Sequence, residues 1–206
     1  MTRLEKKHPL AIRWFHWLNF PLLAAMVWSG ILIYWAYPKY LNLPQSAWRA
    51  MHINNRLAEG MALHFFFMWL FGVNGVLYVL YTIISGEWRE LLPNRHTLRD
   101  AWNVLLHDLR IRKEPLPRVK FNGAQRLAYT GVVIMGLFSL LTGLAIYKPV
   151  QFAWLTMLFG GYAGARLVHF WLTVGYCVFF LVHVAQVIRA GWNNFRAMVI
   201  GYEVAE

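Results

Sequence analysis

The chain has 206 residues, of which 59% are hydrophobic and 17% aromatic, with a mean hydropathy of +0.41. A soluble domain of this size is about half apolar, so the composition excludes that class and implies a membrane. The formal charge of +11 does not point to nucleic acid: the basic residues lie between long apolar segments rather than along one polar stripe.

Four segments free of Lys, Arg, Asp and Glu are long enough to cross a bilayer: residues 14–37, 61–85, 127–147 and 167–188. The first is long and is followed by no small-residue cleavage site, so no cleavable signal peptide is expected. Trp14, Trp17, Trp35, Tyr37 and Trp192 fall near span ends, where amphipathic rings favour the interface. In the connection after the second span, Leu98, Ala101, Trp102, Leu105 and Leu109 recur at helical spacing, with Arg99, Asp100, Asp108 and Arg110 at other positions. This predicts a short amphipathic helix over 97–111, lying on the membrane surface as an interfacial strut. Pro115 and Pro117 then break the chain before the third span. The apolar run 152–159 is too short to span; with Gly160, Gly161 and Gly164 after it, it reads as a loop or re-entrant turn. No internal repeat and no second, soluble domain is evident, so 1–206 reads as one all-α integral membrane domain.

The N-terminus, the 86–126 connection and the C-terminal tail hold 15 of the 20 Lys and Arg residues. The 38–60 and 148–166 connections hold only Lys39, Arg49, Arg56, Lys148 and Arg166. The positive-inside rule therefore puts both termini in the cytoplasm. The first span runs outward and the second and fourth run inward, which fixes the depth of each membrane histidine. His16 and His183 lie near the inner surface, His64 and His169 near the outer one. Two of these histidines share the fourth span: His169 and His183 are fourteen residues apart, about 21 Å along the axis and within roughly 40° of one face.

A lone imidazole in a membrane is often held by a hydrogen bond to a neighbouring helix. Four, level in two pairs, are what two bis-histidine haems need, and a polar side chain in hydrocarbon requires such a partner. Iron takes one ring nitrogen and leaves the other to donate. Zinc needs about four ligands in one small shell, which two well-separated levels do not supply. The only cysteine, Cys177, sits in an apolar stretch, which excludes intrachain disulfides, cysteine-ligated iron–sulfur clusters and covalent CxxCH haem attachment. Arg13 and Arg166 each precede a histidine by three residues on its water side. There they either meet a haem propionate or snorkel to the interface. His8, His52, His96 and His107 read as surface residues.

The stretches RWFHW (13–17), LHFFF (63–67), FNGAQR (121–126), LTGLAIYKP (141–149) and RAMVIGYEV (196–204) give the chain a resemblance, over nearly its whole length, to a family. It resembles the four-helix dihaem cytochrome b subunits of formate dehydrogenases, nickel–iron hydrogenases and thiosulfate-reductase-type molybdoenzymes. The resemblance implies a four-transmembrane-helix bundle binding two b haems, with His16 and His183 on the inner haem and His64 and His169 on the outer one. It also implies a quinone pocket beside the inner haem, whose matching positions here are Asn122 and Gln125. Both amides can hydrogen-bond a quinone, and Asn122 is equally suited to cap a helix.

Three functions remain open on this reading. One is a subunit of the bacterial inner membrane that passes electrons between the quinone pool and a periplasm-facing partner, either a molybdoenzyme or hydrogenase or an iron–sulfur subunit. Another is a stand-alone superoxide:quinone oxidoreductase, to which the five outer basic residues would attract the anion. The third is a non-redox membrane anchor or transporter, which predicts no haem.

Overall fold

A computed structural model of the chain describes residues 3–112 and 119–205; Pro115 and Pro117 lie outside them. Four long apolar helices carry the expected spans: α1 (Leu10–Tyr34), α3 (Leu57–Ser85), α6 (Gly123–Tyr147) and α8 (Gly161–Ile200). The first three begin four residues before their predicted spans and α8 begins six before. An apolar count stops at a charged or polar residue, whereas a helix continues through the interface because its backbone groups must still be paired there. The α8 helix is broken at Gly191, whose φ of +81° and ψ of 177° are not helical. Three short helices join them: α2 (Gln45–Ala50), α4 (Trp88–Leu91) and α5 (Thr97–Asp108). A fourth, α7 (Ala153–Leu158), replaces the loop or re-entrant turn expected at 152–159. Its Leu155 and Thr156 are buried, and Thr156 Oγ1 donates to the Ala145 carbonyl at 3.2 Å. That anchor lets so short a run close into helix. Two strands, β1 (Arg3–Lys6) and β2 (Tyr202–Ala205), pair antiparallel with Lys6 opposite Tyr202.

The residues group into two compact units, Met1–Tyr78 with Trp192–Glu206, and Val79–Gly191. In the first, α1 and α3 form an antiparallel hairpin. Gly60 is the point of closest approach: a Cβ there would stand 2.7 Å from Leu32 Cβ and 3.1 Å from the Ile33 nitrogen. Small residues at such crossings let helices pack without a hydrophobic drive from the lipid. At the other end Phe15 meets Tyr78 edge-on at 5.9 Å, and Asn74 Nδ2 donates to Asn19 Oδ1 at 3.4 Å. The connection after α1 is pinned by Tyr34, whose hydroxyl accepts from Tyr40 N and donates to the Leu41 carbonyl. Before α3, Arg56 pairs with Glu59 and holds that carboxyl below its ordinary range, chiefly by its hydrogen bonds. The tail closes on the N-terminus: Lys7 bonds Asn194 and Glu203, and Asn193 exchanges two 3.0 Å hydrogen bonds with the Val204 backbone.

The second unit repeats the hairpin with α6 and α8. Its core is Ala145, Leu155 and Ala165, flanked by Leu141, Leu144, Ile146, Phe152 and Phe159. The amphipathic helix α5 forms as the spacing predicts. Thr97 and Val104 turn inward, and Leu98, Trp102, Leu105 and Leu109 are exposed along one stripe, as an interfacial helix requires. Asp108 at its end accepts from Gln186 and pairs with Arg189 of α8. Lys120 bridges Glu87 and Glu90. Burial lowers the pKa of its ammonium, but the two carboxylates outweigh burial and raise it.

The two hairpins match position by position, an internal repeat that the sequence alone did not reveal. Helices α1 and α6 are both 25 residues long. Arg13, Ser29, Gly30, Leu32, Ile33 and Tyr34 of α1 fall where Arg126, Thr142, Gly143, Ala145, Ile146 and Tyr147 fall in α6. One turn before the histidines stand Gly60 in α3 and Ala165 in α8. Arg, Gly, Ile and Tyr recur unchanged at four of the six α1/α6 pairs, but they stand among differing apolar residues, and the packing makes the correspondence plain.

Gly123 begins α6 under α5, and a Cβ there would lie 2.5 Å from both the Ala101 nitrogen and the Thr97 carbonyl oxygen. Backbone cannot yield as a flexible side chain can. Gly123→Ala should therefore cost about 1–3 kcal/mol through overpacking, read as a lower thermal midpoint in detergent and faster proteolysis around α5.

Candidate haem-binding site

The four membrane histidines are all half-buried on the long helices. His64 and His169 share one local arrangement. In the first unit, Ser29 Oγ lies 2.9 Å from His64 Nδ1 and donates to the Ala25 carbonyl at 2.7 Å. In the second, Thr142 Oγ1 lies 2.8 Å from His169 Nδ1 and donates to the Phe138 carbonyl at 2.6 Å. Ser29 and Thr142 are themselves fully buried. Each hydroxyl is followed by a glycine whose missing side chain would lie against the ring: a Cβ on Gly30 would be 3.8 Å from His64 Cε1, and one on Gly143 3.6 Å from His169 Cε1. The hydroxyl and glycine thus brace one edge of the imidazole and leave its flank open.

The other two histidines lie at the far ends of the same hairpins. His16 precedes Ser29 by thirteen residues on α1, about 20 Å along the axis, and His183 follows His169 by fourteen on α8, about 21 Å. His16 meets the Trp17 ring edge-on at 5.2 Å, and His183 stacks on Phe179 at 5.8 Å. Each unit by itself therefore holds two imidazoles at two levels.

These residues fit haem iron. Histidines held at Nδ1 are suited to ligate through Nε2, and glycines on the ring flank leave room that a side chain would fill. Among the described residues no group of three or more His, Cys, Asp or Glu side chains could hold a bare metal ion.

The remaining candidates have structural partners in the same unit. Arg13 Nη1 donates to the Val199 carbonyl at 2.6 Å and Trp17 Nε1 to the Met198 carbonyl at 3.0 Å, satisfying acceptors at the end of α8. Gly201, with φ of +91°, lets the chain turn there; a Cβ would stand 3.2 Å from the Arg13 guanidinium. Arg166 lies over the Tyr162 ring at 5.9 Å. Asn122 and Gln125 form a capping box: Asn122 Oδ1 accepts from Gln125 N at 2.9 Å, and Gln125 Oε1 accepts from Asn122 N at 3.0 Å. The box uses both amide oxygens and leaves two amide NH₂ groups as donors. Of the histidines expected on the surface, His52 and His96 are exposed, whereas His8 and His107 are half-buried.

The braces Ser29 and Thr142 went unnoticed in the sequence, since each bonds across 35 and 27 residues. The signal available was the recurrence of Ser/Thr-Gly-x-x-Ile-Tyr at 29–34 and 142–147.

The sequence profile of the prokaryotic cytochrome b561 family matches residues 7–201. The chain is also similar to a protein of Azospira oryzae that carries the name protein-methionine-sulfoxide reductase subunit YedZ1. The two are 34% identical over 196 residues, covering 95% of this chain and 96% of the relative.

Removing the N-terminal cap of α6 by Asn122→Ala should lower stability by about 1 kcal/mol. Thermal unfolding of the purified protein in detergent measures it.

Proposed function

The chain belongs to the prokaryotic cytochrome b561 family, and from that premise we propose that it is a dihaem subunit carrying electrons between the quinone pool and a periplasm-facing redox enzyme. Membership makes it an integral inner-membrane cytochrome that binds haem b and transfers electrons. The observation that carries the finer reading is the hairpin built twice, each copy offering one braced histidine and a second imidazole about 20 Å away.

Our assignment gives His64 and His169 to one haem and His16 and His183 to the other. Span direction supports it by putting the members of each pair at one depth. Haem held at these positions supplies one-electron transfer. The two units then work as one domain, with both termini and the 86–126 connection in the cytoplasm, as the Lys and Arg distribution favours. Arg13 and Arg166 would offer guanidinium groups to the propionates of haems bound there. The amide NH₂ groups of Asn122 and Gln125 are donors for a quinone carbonyl near the start of α6.

The partner we favour is a reductase rather than a hydrogenase, because the relative's name is that of a sulfoxide reductase subunit. Reducing a sulfoxide to a thioether and water takes two electrons and two protons. Oxidising a quinol releases the same number of each, so electrons run from quinol outward. The chain's own residues bind and orient; the outer connections are too short to hold the catalytic domain.

A reduced-minus-oxidised spectrum of the purified protein should show two b haems per chain. His64→Ala and His183→Ala should each remove one haem, and a different one. Loss of the same haem in both refutes the pairing, and absence of a b-type signal refutes the redox reading. Copurification of a larger redox subunit, and haem reduction by quinol, are expected. Fast haem reduction by superoxide in the isolated chain would transfer the function to a stand-alone oxidoreductase.

A further inference from the structure

We propose that Ser29 and Thr142 are a matched pair of positioning residues that fix His64 and His169 in the Nδ1–H tautomer and so set the basicity of the nitrogens that ligate iron. The inference rests on haem ligation by these two histidines, as argued above.

The case is a proton inventory. A hydroxyl has one hydrogen and two lone pairs. Thr142 Oγ1 lies 2.6 Å from the Phe138 carbonyl oxygen, and Ser29 Oγ lies 2.7 Å from that of Ala25. Two oxygens approach that closely only with a hydrogen between them, and a carbonyl has none to give. Each hydroxyl hydrogen is therefore spent on the hydroxyl's own helix, one turn back. Toward the imidazole each oxygen can only accept. The contacts at 2.9 Å to His64 Nδ1 and 2.8 Å to His169 Nδ1 are then donations from the rings, which puts the ring proton on Nδ1 and the lone pair on Nε2.

The arrangement orients as well as protonates. Ser29 and Thr142 are fully buried and cannot trade the ring for water. The glycines that follow keep side chains off the ring flank. An acceptor on Nδ1–H raises the donor strength of the ligating nitrogen and favours the ferric state, so each brace holds the midpoint potential down. That the same brace occurs at equivalent positions of two hairpins, on Ser in one and Thr in the other, ties it to the histidines rather than to either helix.

The test uses the full haem-loaded protein and a redox titration followed by its visible spectrum, with low-spin ferric EPR as a second readout. Thr142→Val and Ser29→Ala should each raise the midpoint potential of one haem component and shift its largest g value, at unchanged haem-to-protein ratio. Thr142→Ser and Ser29→Thr keep the hydroxyl and should restore both readouts. Thr173 is the control. Its hydroxyl donates to the His169 backbone carbonyl at 3.0 Å rather than to the ring, so Thr173→Val should leave the potential in place. Unchanged potentials and g values in Thr142→Val and Ser29→Ala, with haem retained, overturn the inference. So does a shift as large in Thr142→Ser or Thr173→Val as in Thr142→Val. Movement of different components by Ser29→Ala and Thr142→Val supports the braces and overturns only the pairing. Absence of haem from the wild-type protein overturns the ligation reading instead.

Discussion

An imidazole inside a hydrocarbon layer has two nitrogens to satisfy and almost nothing nearby to satisfy them with. The helix backbone is already paired with itself, and lipid offers neither donor nor acceptor. A side-chain hydroxyl on the neighbouring helix resolves this. It gives its hydrogen to a carbonyl that has a second lone pair to spare and turns its oxygen to the ring. This works only if the helices are close and in register. The small residues Gly60 and Ala165, one turn before each histidine, supply the closeness.

The two hairpins agree at the braced end and diverge at the other. Thirteen residues before Ser29 stands His16, and thirteen before Thr142 stands Tyr129. Fourteen residues after His169 stands His183, and fourteen after His64 stands Tyr78. Each hairpin thus ends with one histidine and one tyrosine, but on opposite members. This is why α8 carries two histidines and α6 none. A chain with two histidines on its last helix reads as lopsided in sequence; structurally it is an exchange of His and Tyr between equivalent positions.

What was legible in the sequence follows from what is local. Long uncharged runs marked the spans, because the cost of charge in lipid acts residue by residue. The stripe of Leu98, Trp102, Leu105 and Leu109 marked α5, and Asn122 with Gln125 marked the start of α6, since capping is contained within four residues. The separation of two histidines along α8 was legible because helical rise converts residue spacing into distance. Contacts between distant segments were not. The run 152–159 became helix through the bond from Thr156 to Ala145. Ser29 and Thr142 read as ordinary small helix residues until a partner from another helix came to rest on them. Arg13 suggested a propionate partner, and its bond to the Val199 carbonyl was not visible from its own neighbourhood.

The strand pair β1–β2 joins Arg3–Lys6 to Tyr202–Ala205 by backbone hydrogen bonds. Strands bonded in this way stand in the same compartment, so the chain between them crosses the bilayer an even number of times. A three-span or five-span topology is ruled out by parity alone, without any appeal to hydropathy. A chain that loses or gains one span would leave two exposed strand edges on opposite sides of the membrane, each without its partner.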